Sequence, residues 1–240
     1  MTVAGAVTLV LALASPAAAQ DISINLGQGG GLTERVIQLI ALLTVLSLAP
    51  SILVMMTSFT RIVVVLSLLR TALGTATAPP NAVIIALALF LTAFVMGPAL
   101  QRSYDDGIAP LANNEITIQQ AFERSSAPLR TFMQKNVREK DLQLFTDLSA
   151  EPRPATPAEM SLRVLVPAFM ISELKRAFEI GFLLFLPFLI IDLVVASVLM
   201  SMGMMMLPPV VVSLPFKLIF FVLVDGWSLV AGSLIQSYGT

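Results

Sequence analysis

Met200-Ser-Met-Gly-Met-Met-Met-Leu-Pro-Pro209 lies between two strongly apolar stretches, and its reading decides how the chain is laid out. Five of the twelve methionines fall between Met200 and Met206. Carried through as helix, steps of about 100° per residue scatter them around the circumference, so they form no single stripe for lipid or core. Gly203 and the Pro208-Pro209 pair instead end the helix, because proline lacks the amide donor and clashes with the preceding turn. The segment therefore reads as a tight hairpin tip studded with methionine. The unbranched, polarizable methionine side chain repacks around changing shapes, so a soft surface is expected there.

Working outward, Ile180 to Met202 is apolar with Pro187 and one acid, Asp192, while Val210 to Ile235 is apolar with Pro215, Lys217 and Asp225. Ionisable groups inside apolar stretches are costly and mark pairs or functional sites. Folding about Met206 brings Asp192 and Lys217 to depths that differ by only about 5 Å, so a pair is feasible. Asp225 falls about five residues deeper. Two readings stay open: a structural ion pair within or between subunits, with Asp225 a further buried charge, or a transport path through these groups. Upstream, Leu162 to Ile180 is amphipathic, and Glu173, Lys175, Arg176 and Glu179 allow pairs at i,i+3 and i,i+4. These four are either a packed or solvated face or a proton relay.

The whole chain has membrane-protein composition. Of its 240 residues 57% are hydrophobic and only 12% charged, with mean hydropathy +0.89; soluble domains carry about a quarter charged residues. A net charge of −1 offers no clustered basic face for nucleic acid. With no cysteine and no histidine, disulfides, thiol nucleophiles, imidazole bases and the usual zinc sets are excluded. No cofactor is expected. Two intramembrane aspartates invite an aspartyl-protease reading, but Ile191-Asp192-Leu193 and Val224-Asp225-Gly226-Trp227 lack the Gly-x-Gly-Asp context.

The layout expected from these patterns has five parts. Residues 1–19 read as a signal peptide, with an apolar core at Val7 to Ala14 and small residues at Ala17-Ala18-Ala19, although Met1 to Ala6 contains no Lys or Arg. Residues 20–35 are a periplasmic linker. Residues 36–100 form an N-terminal helical hairpin, with a first span at Val36 to Met56 kinked at Pro50, a turn at Thr75 to Asn81, and a second span at Ala82 to Leu100. Residues 101–161 hold sixteen of the charged residues and form a polar periplasmic domain of short amphipathic helices, within Ile118 to Phe132 and Val137 to Leu148. Residues 162–240 are a C-terminal helical hairpin carrying the methionine loop. Arg61 and Arg70 mark the 57–81 turn region with no acid nearby, which puts that turn on the cytoplasmic side. Four spanning helices are counted this way. The fold class is all-α and membrane-associated: two kinked helical hairpins flank a small helical periplasmic domain. The prolines inside the apolar stretches leave two readings open, kinked helices in a bundle or a multi-subunit assembly in which broken hairpins line a lumen.

Two blocks of sequence carry a resemblance. Thr57-Ser-Phe-Thr-Arg-Ile-Val-Val-Val-Leu-Ser-Leu-Leu-Arg70, followed by Ala72-Leu-Gly74 and Pro79-Pro-Asn81, is similar to the first block of the FliP/SctR type III secretion export-gate proteins. Ile180-Gly-Phe182, Pro187-Phe188, Ile191-Asp192-Leu193, Met202-Gly-Met-Met-Met-Leu-Pro-Pro209, Ser213-Leu-Pro-Phe-Lys217 and Val224-Asp-Gly-Trp227 follow in that family's order. The likeness covers roughly residues 33 to 240, and the signal peptide and Pro-Pro pair look more like the flagellar branch.

The resemblance implies a core subunit of the flagellar export gate and not an enzyme. It implies several copies joined to FliQ and FliR, FliO for assembly, FlhA and FlhB nearby, and unfolded flagellar subunits as cargo. The place implied is the bacterial inner membrane at the flagellar basal body, with the gate projecting to the periplasmic side. The family's methionine gasket maps to Met204, Met205 and Met206, flanked by Met202, Gly203, Pro208 and Pro209. The competing expectation is a secondary transporter or ion channel with Asp192 and Lys217 on the path.

Overall fold

The computed structural model describes residues 36–239 except 38, 42, 45–46, 48–50, 52–53, 76, 150–159 and 205. The expected signal peptide, the linker, the Pro50 kink and Met205 lie outside the described residues. The chain divides into two units, Met1–Ser47 and Leu48–Thr240. In the first, the described positions from residue 36 onward are helical, and Thr44 Oγ1 donates to the Ile40 carbonyl at 2.8 Å.

In the second unit every regular element among the described residues is helical. Helix α1 (Phe59–Leu73) is followed by α2 (Asn81–Ser103), a π-helical turn (Tyr104–Ile108) and the short α3 (Ala109–Ala112). Then come α4 (Ile118–Asn136), α5 (Glu139–Leu148), α6 (Leu162–Ser201), α7 (Pro209–Leu223) and α8 (Gly226–Gln236).

Helix α1 is the hub. Its buried Ile62, Val65, Leu66, Leu69, Ala72 and Leu73 recur at helical spacing and form one face. That face packs with Ile84 and Ala88 of α2, Ala177 and Phe188 of α6, Phe221 of α7 and Leu234 of α8. Burying each large aliphatic here contributes about 1.5–3 kcal/mol. Helices α1 and α6 approach tightly at Gly181, where a Cβ would stand 2.3 Å from Leu68 Cδ1. A second core joins Met56 and Met96 to Leu129 and Met133 of α4 and to Leu165 and Phe169 of α6.

The polar segment is built from local signals. Thr117 and Gln120 form a reciprocal capping box that starts α4. Helix α5 is tied to α6 by Ser172, whose buried hydroxyl donates to Asp141 Oδ2 at 2.7 Å and accepts from the Arg138 amide at 3.0 Å.

Leu162–Ile180 and Ile180–Met202, treated as separate stretches in the sequence, are one continuous 40-residue helix through Pro167 and Pro187. At 1.5 Å per residue that is about 60 Å, roughly twice the hydrocarbon thickness of a bilayer. Among the described residues two helical stretches, Asn81–Ala112 and Leu162–Ser201, are long and apolar enough to cross a membrane. The last apolar stretch is not one helix: α7 and α8 meet at a break and bend by 63°. Counted as one broken span they make a third crossing. The remaining expected span, residues 36–56, is interrupted by residues the structure does not describe (38, 42, 45–46, 48–50 and 52–53).

Candidate functional site

The methionine segment is a capped turn between α6 and α7. Helix α6 ends at Ser201, Met202 is its C-cap, and Gly203 adopts the left-handed conformation at φ 75°. The Gly203 amide donates to the Met200 carbonyl and the Met204 amide to the Leu199 carbonyl, both at 3.0 Å. These two bonds are the Schellman pattern, which needs a residue free to take positive φ at the second position. Pro208 precedes α7 and Pro209 occupies its first position, where a missing amide hydrogen costs nothing. Met206 is 98% exposed, and Met202 and Met204 are also exposed.

Below the turn, Asp192 and Lys217 meet. Lys217 Nζ lies 2.7 Å from Asp192 Oδ2 and also donates to the Ala72 carbonyl at 3.3 Å. The second carboxylate oxygen of Asp192 accepts from the buried Ser213 hydroxyl. Ala72 sits in the last turn of α1, where unpaired carbonyls carry partial negative charge, so the ammonium is matched on two sides. Lys217 is 4% exposed. Three helices are joined at one point, and both charges are spent within the chain. Ser213 and the Ala72 carbonyl are the members that sequence reasoning missed. Ser213 was visible as a hydroxyl one turn before Lys217, whereas a backbone acceptor carries no sequence signal.

Asp225 is elsewhere. It was expected as a buried charge inside the last apolar stretch; it is exposed, at φ 50°, in the break between α7 and α8. The physical reason is the break itself, which turns the backbone outward before Gly226 starts the next helix. Gly226 packs against Phe221 so closely that a Cβ would stand 2.1 Å from the ring.

The four charges of α6 separate into different environments. Lys175 and Glu179 form an exposed pair at 3.4 Å, one turn apart. Arg176 is half-buried. Glu173 is wholly buried and meets Arg61 in a bidentate ion pair, with Arg61 Nε 2.9 Å from Glu173 Oε2 and Nη2 on Oε1. Arg61 Nη1 donates to the Ser237 hydroxyl at 2.9 Å, and its guanidinium lies 3.8 Å from the Tyr238 ring centroid. The Tyr238 hydroxyl donates to Glu173 Oε2, and its ring stacks on Phe132 at 5.7 Å. Burial pushes the Tyr238 phenol well above its ordinary value, and the Glu173 carboxylate adds to the rise while Arg61 opposes it. Arg61 therefore has an acid, distant in sequence and adjacent in space. It is not an unpaired cation at a turn, and its weight in the side-of-membrane argument is removed.

Comparison with known proteins adds the lineage. Residues 42–234 match the profile of the FliP family. The chain is 63% identical over 238 residues to a "Flagellar biosynthetic protein FliP" of Caulobacter vibrioides, covering 99% of this chain and 90% of the relative. It is 57% identical over 213 residues to the protein of that name from Pectobacterium carotovorum, covering 89% and 83%. With the Bacillus subtilis protein of that name it shares 54% over 202 residues, covering 84% and 91%. With a profile spanning most of its length and relatives above half identity over nearly all of it, the chain belongs to the FliP family.

Proposed function

We propose that this chain is a core subunit of the flagellar type III protein export gate. Several copies, with FliQ and FliR, surround a channel through which unfolded flagellar subunits cross the inner membrane. FliO serves assembly, FlhA and FlhB lie nearby, and the gate projects toward the periplasm. The helical hairpins on either side of the polar 101–161 domain supply its wall.

The observation that carries the reading is the capped turn with Met206 almost fully exposed and Met202 and Met204 beside it. A single turn closes nothing. Repeated about an axis, such turns close a pore by apolar contact and dewetting, then mould to a passing chain of any sequence. The gasket is assigned to Met204, Met205 and Met206. The transporter alternative is disfavoured, because Asp192 and Lys217 are held by each other, by Ser213 and by the end of α1. Glycine at positions 204, 205 and 206 is expected to raise ion leak through the assembled gate while assembly persists. Conductance unchanged from the parent at equal amounts of complex would remove the gasket.

A further inference from the structure

With no cysteine and no histidine in the chain, the methionine thioethers are its readily oxidised groups, and susceptibility follows exposure. Their surroundings differ sharply. Met96 and Met133 are 0% exposed in the second core, with Met56 buried beside them. The Met170 sulfur accepts from the Thr60 hydroxyl at 3.7 Å, which engages one of its lone pairs. Met200, Met202, Met204 and Met206 are exposed at the turn between α6 and α7, and Met55 is exposed elsewhere.

The turn itself does not depend on methionine packing. Its backbone is held by the amides of Gly203 and Met204 on the carbonyls of Met200 and Leu199, and by the two prolines at its exit. A sulfoxide at position 204 or 206 therefore changes polarity without removing what holds the turn. The surface leading away from it is apolar. A groove of about 500 Å³ there is lined by Val195, Leu199, Val212 and Phe216 and has no polar side chain in its wall. A sulfoxide oxygen finds no donor in that groove and takes its hydrogen bonds from water.

We propose that the turn is a modification site for two-electron oxidants of the peroxide class, which convert Met204 and Met206 to sulfoxides and open the closed gate to ions. This inference rests on the gasket reading of the turn. The thioether sulfur attacks a peroxide oxygen, the S–O bond forms as the O–O bond breaks, and the departing hydroxide takes the remaining proton. Sulfur loses two electrons and the peroxide becomes water. Turns repeated about an axis keep a face toward the lumen, and hydrogen peroxide is little larger than water. The flexible apolar side chain becomes a polar one, and a constriction that closed by dewetting is wetted. Reduction of the sulfoxide by a dithiol, giving disulfide and water, restores the thioether.

The test treats the assembled gate in vesicles with hydrogen peroxide and follows peptide masses and ion conductance together. Met204 and Met206 are expected to gain about 16 Da each, about tenfold faster than Met96 and Met133. Conductance is expected to rise about threefold or more, with the amount of complex on blue-native gels unchanged. The two epimer-specific methionine sulfoxide reductases, supplied with dithiothreitol, should reverse both changes. A Met204→Leu, Met205→Leu, Met206→Leu variant, read against its own untreated conductance, should show no rise, although Met55, Met200 and Met202 still oxidise. Equal oxidation of buried and turn methionines overturns the site, and so does a rise in the leucine variant matching the parent's. Complete oxidation of the turn without a change in conductance overturns the switch. Untreated gate with glycine at 204, 205 and 206 then separates the causes: if it leaks, the gasket stands and only the oxidation inference falls; if it does not, the gasket falls as well.

Discussion

Arg61 and Glu173, 112 residues apart, form a bidentate ion pair in which both side chains are 0% exposed. Burying two charges is expensive, and it is offset here by near-complete satisfaction: Ser237 takes the third guanidinium edge, Tyr238 covers its face and bonds the carboxylate. The pair welds α1 to α6 and receives the residues after α8.

Glutamine at position 173 leaves the guanidinium buried without a counter-charge, and the expected loss is about 3–5 kcal/mol. Thermal melting of the full chain in detergent measures it. Arg61→Met combined with Glu173→Met removes both charges together and is expected to cost far less than either change alone. Additive losses would show that the two side chains do not act as a unit.

Tyr238→Phe keeps the ring between Arg61 and Phe132 and removes only the hydroxyl. A hydrogen bond to a charged acceptor contributes about 1.5–3 kcal/mol, and that is the expected change. The raised phenol adds a pH dependence. Its folded-state value lies above the unfolded one near 10.0, so the folded chain holds this proton more tightly. The contribution is complete below the unfolded value and falls away as pH rises past it. In a Tyr104→Phe background, tyrosinate absorbance is expected to appear only with unfolding. A reversible titration of the folded chain near the ordinary phenol value would contradict the burial.

Gly181 admits α6 against Leu68 of α1. Gly181→Val is expected to cost about 1–3 kcal/mol by overpacking, and Gly181→Ala less, because the Leu68 tip can rotate away. Leu68→Ala should recover much of the loss in Gly181→Val. Failure of that rescue in a double-mutant cycle would place the strain elsewhere.

Asp192→Asn leaves Lys217 bonded to a neutral group at 4% exposure. Because Asp192 itself is 28% exposed, solvent screens part of the pair, and a loss at or below the low end of the buried-pair range, about 3 kcal/mol, is expected. Blue-native electrophoresis should show less assembled complex, with recovery when Lys217→Met is added. Full assembly combined with abolished transport in Asp192→Asn would favour the transport-path role instead.

Local features were legible in the residues, and distant partnerships were not. The end of α6 at the methionines was readable because a left-handed glycine and two prolines constrain the backbone whatever surrounds them. The approach of Asp192 to Lys217 followed from a single fold-back with a countable number of turns on each arm. Asp225 misled because Val210 to Ile235 is uniformly apolar, and hydropathy does not register a break at Val224–Asp225 that depends on the backbone geometry there. Arg61 misled for a different reason: a local scan for acids cannot see one 112 residues away.

The residues alone determined a helical membrane chain, a polar insert, a methionine-bearing turn and charges that had to find partners. Only the packing of α1 against α6, with the return of Ser237 and Tyr238, decided which partners those were. The physical reason lies in range: backbone breakers and helical periodicity act within a few residues, while an ion pair is set by the distance between side chains that packing brings together.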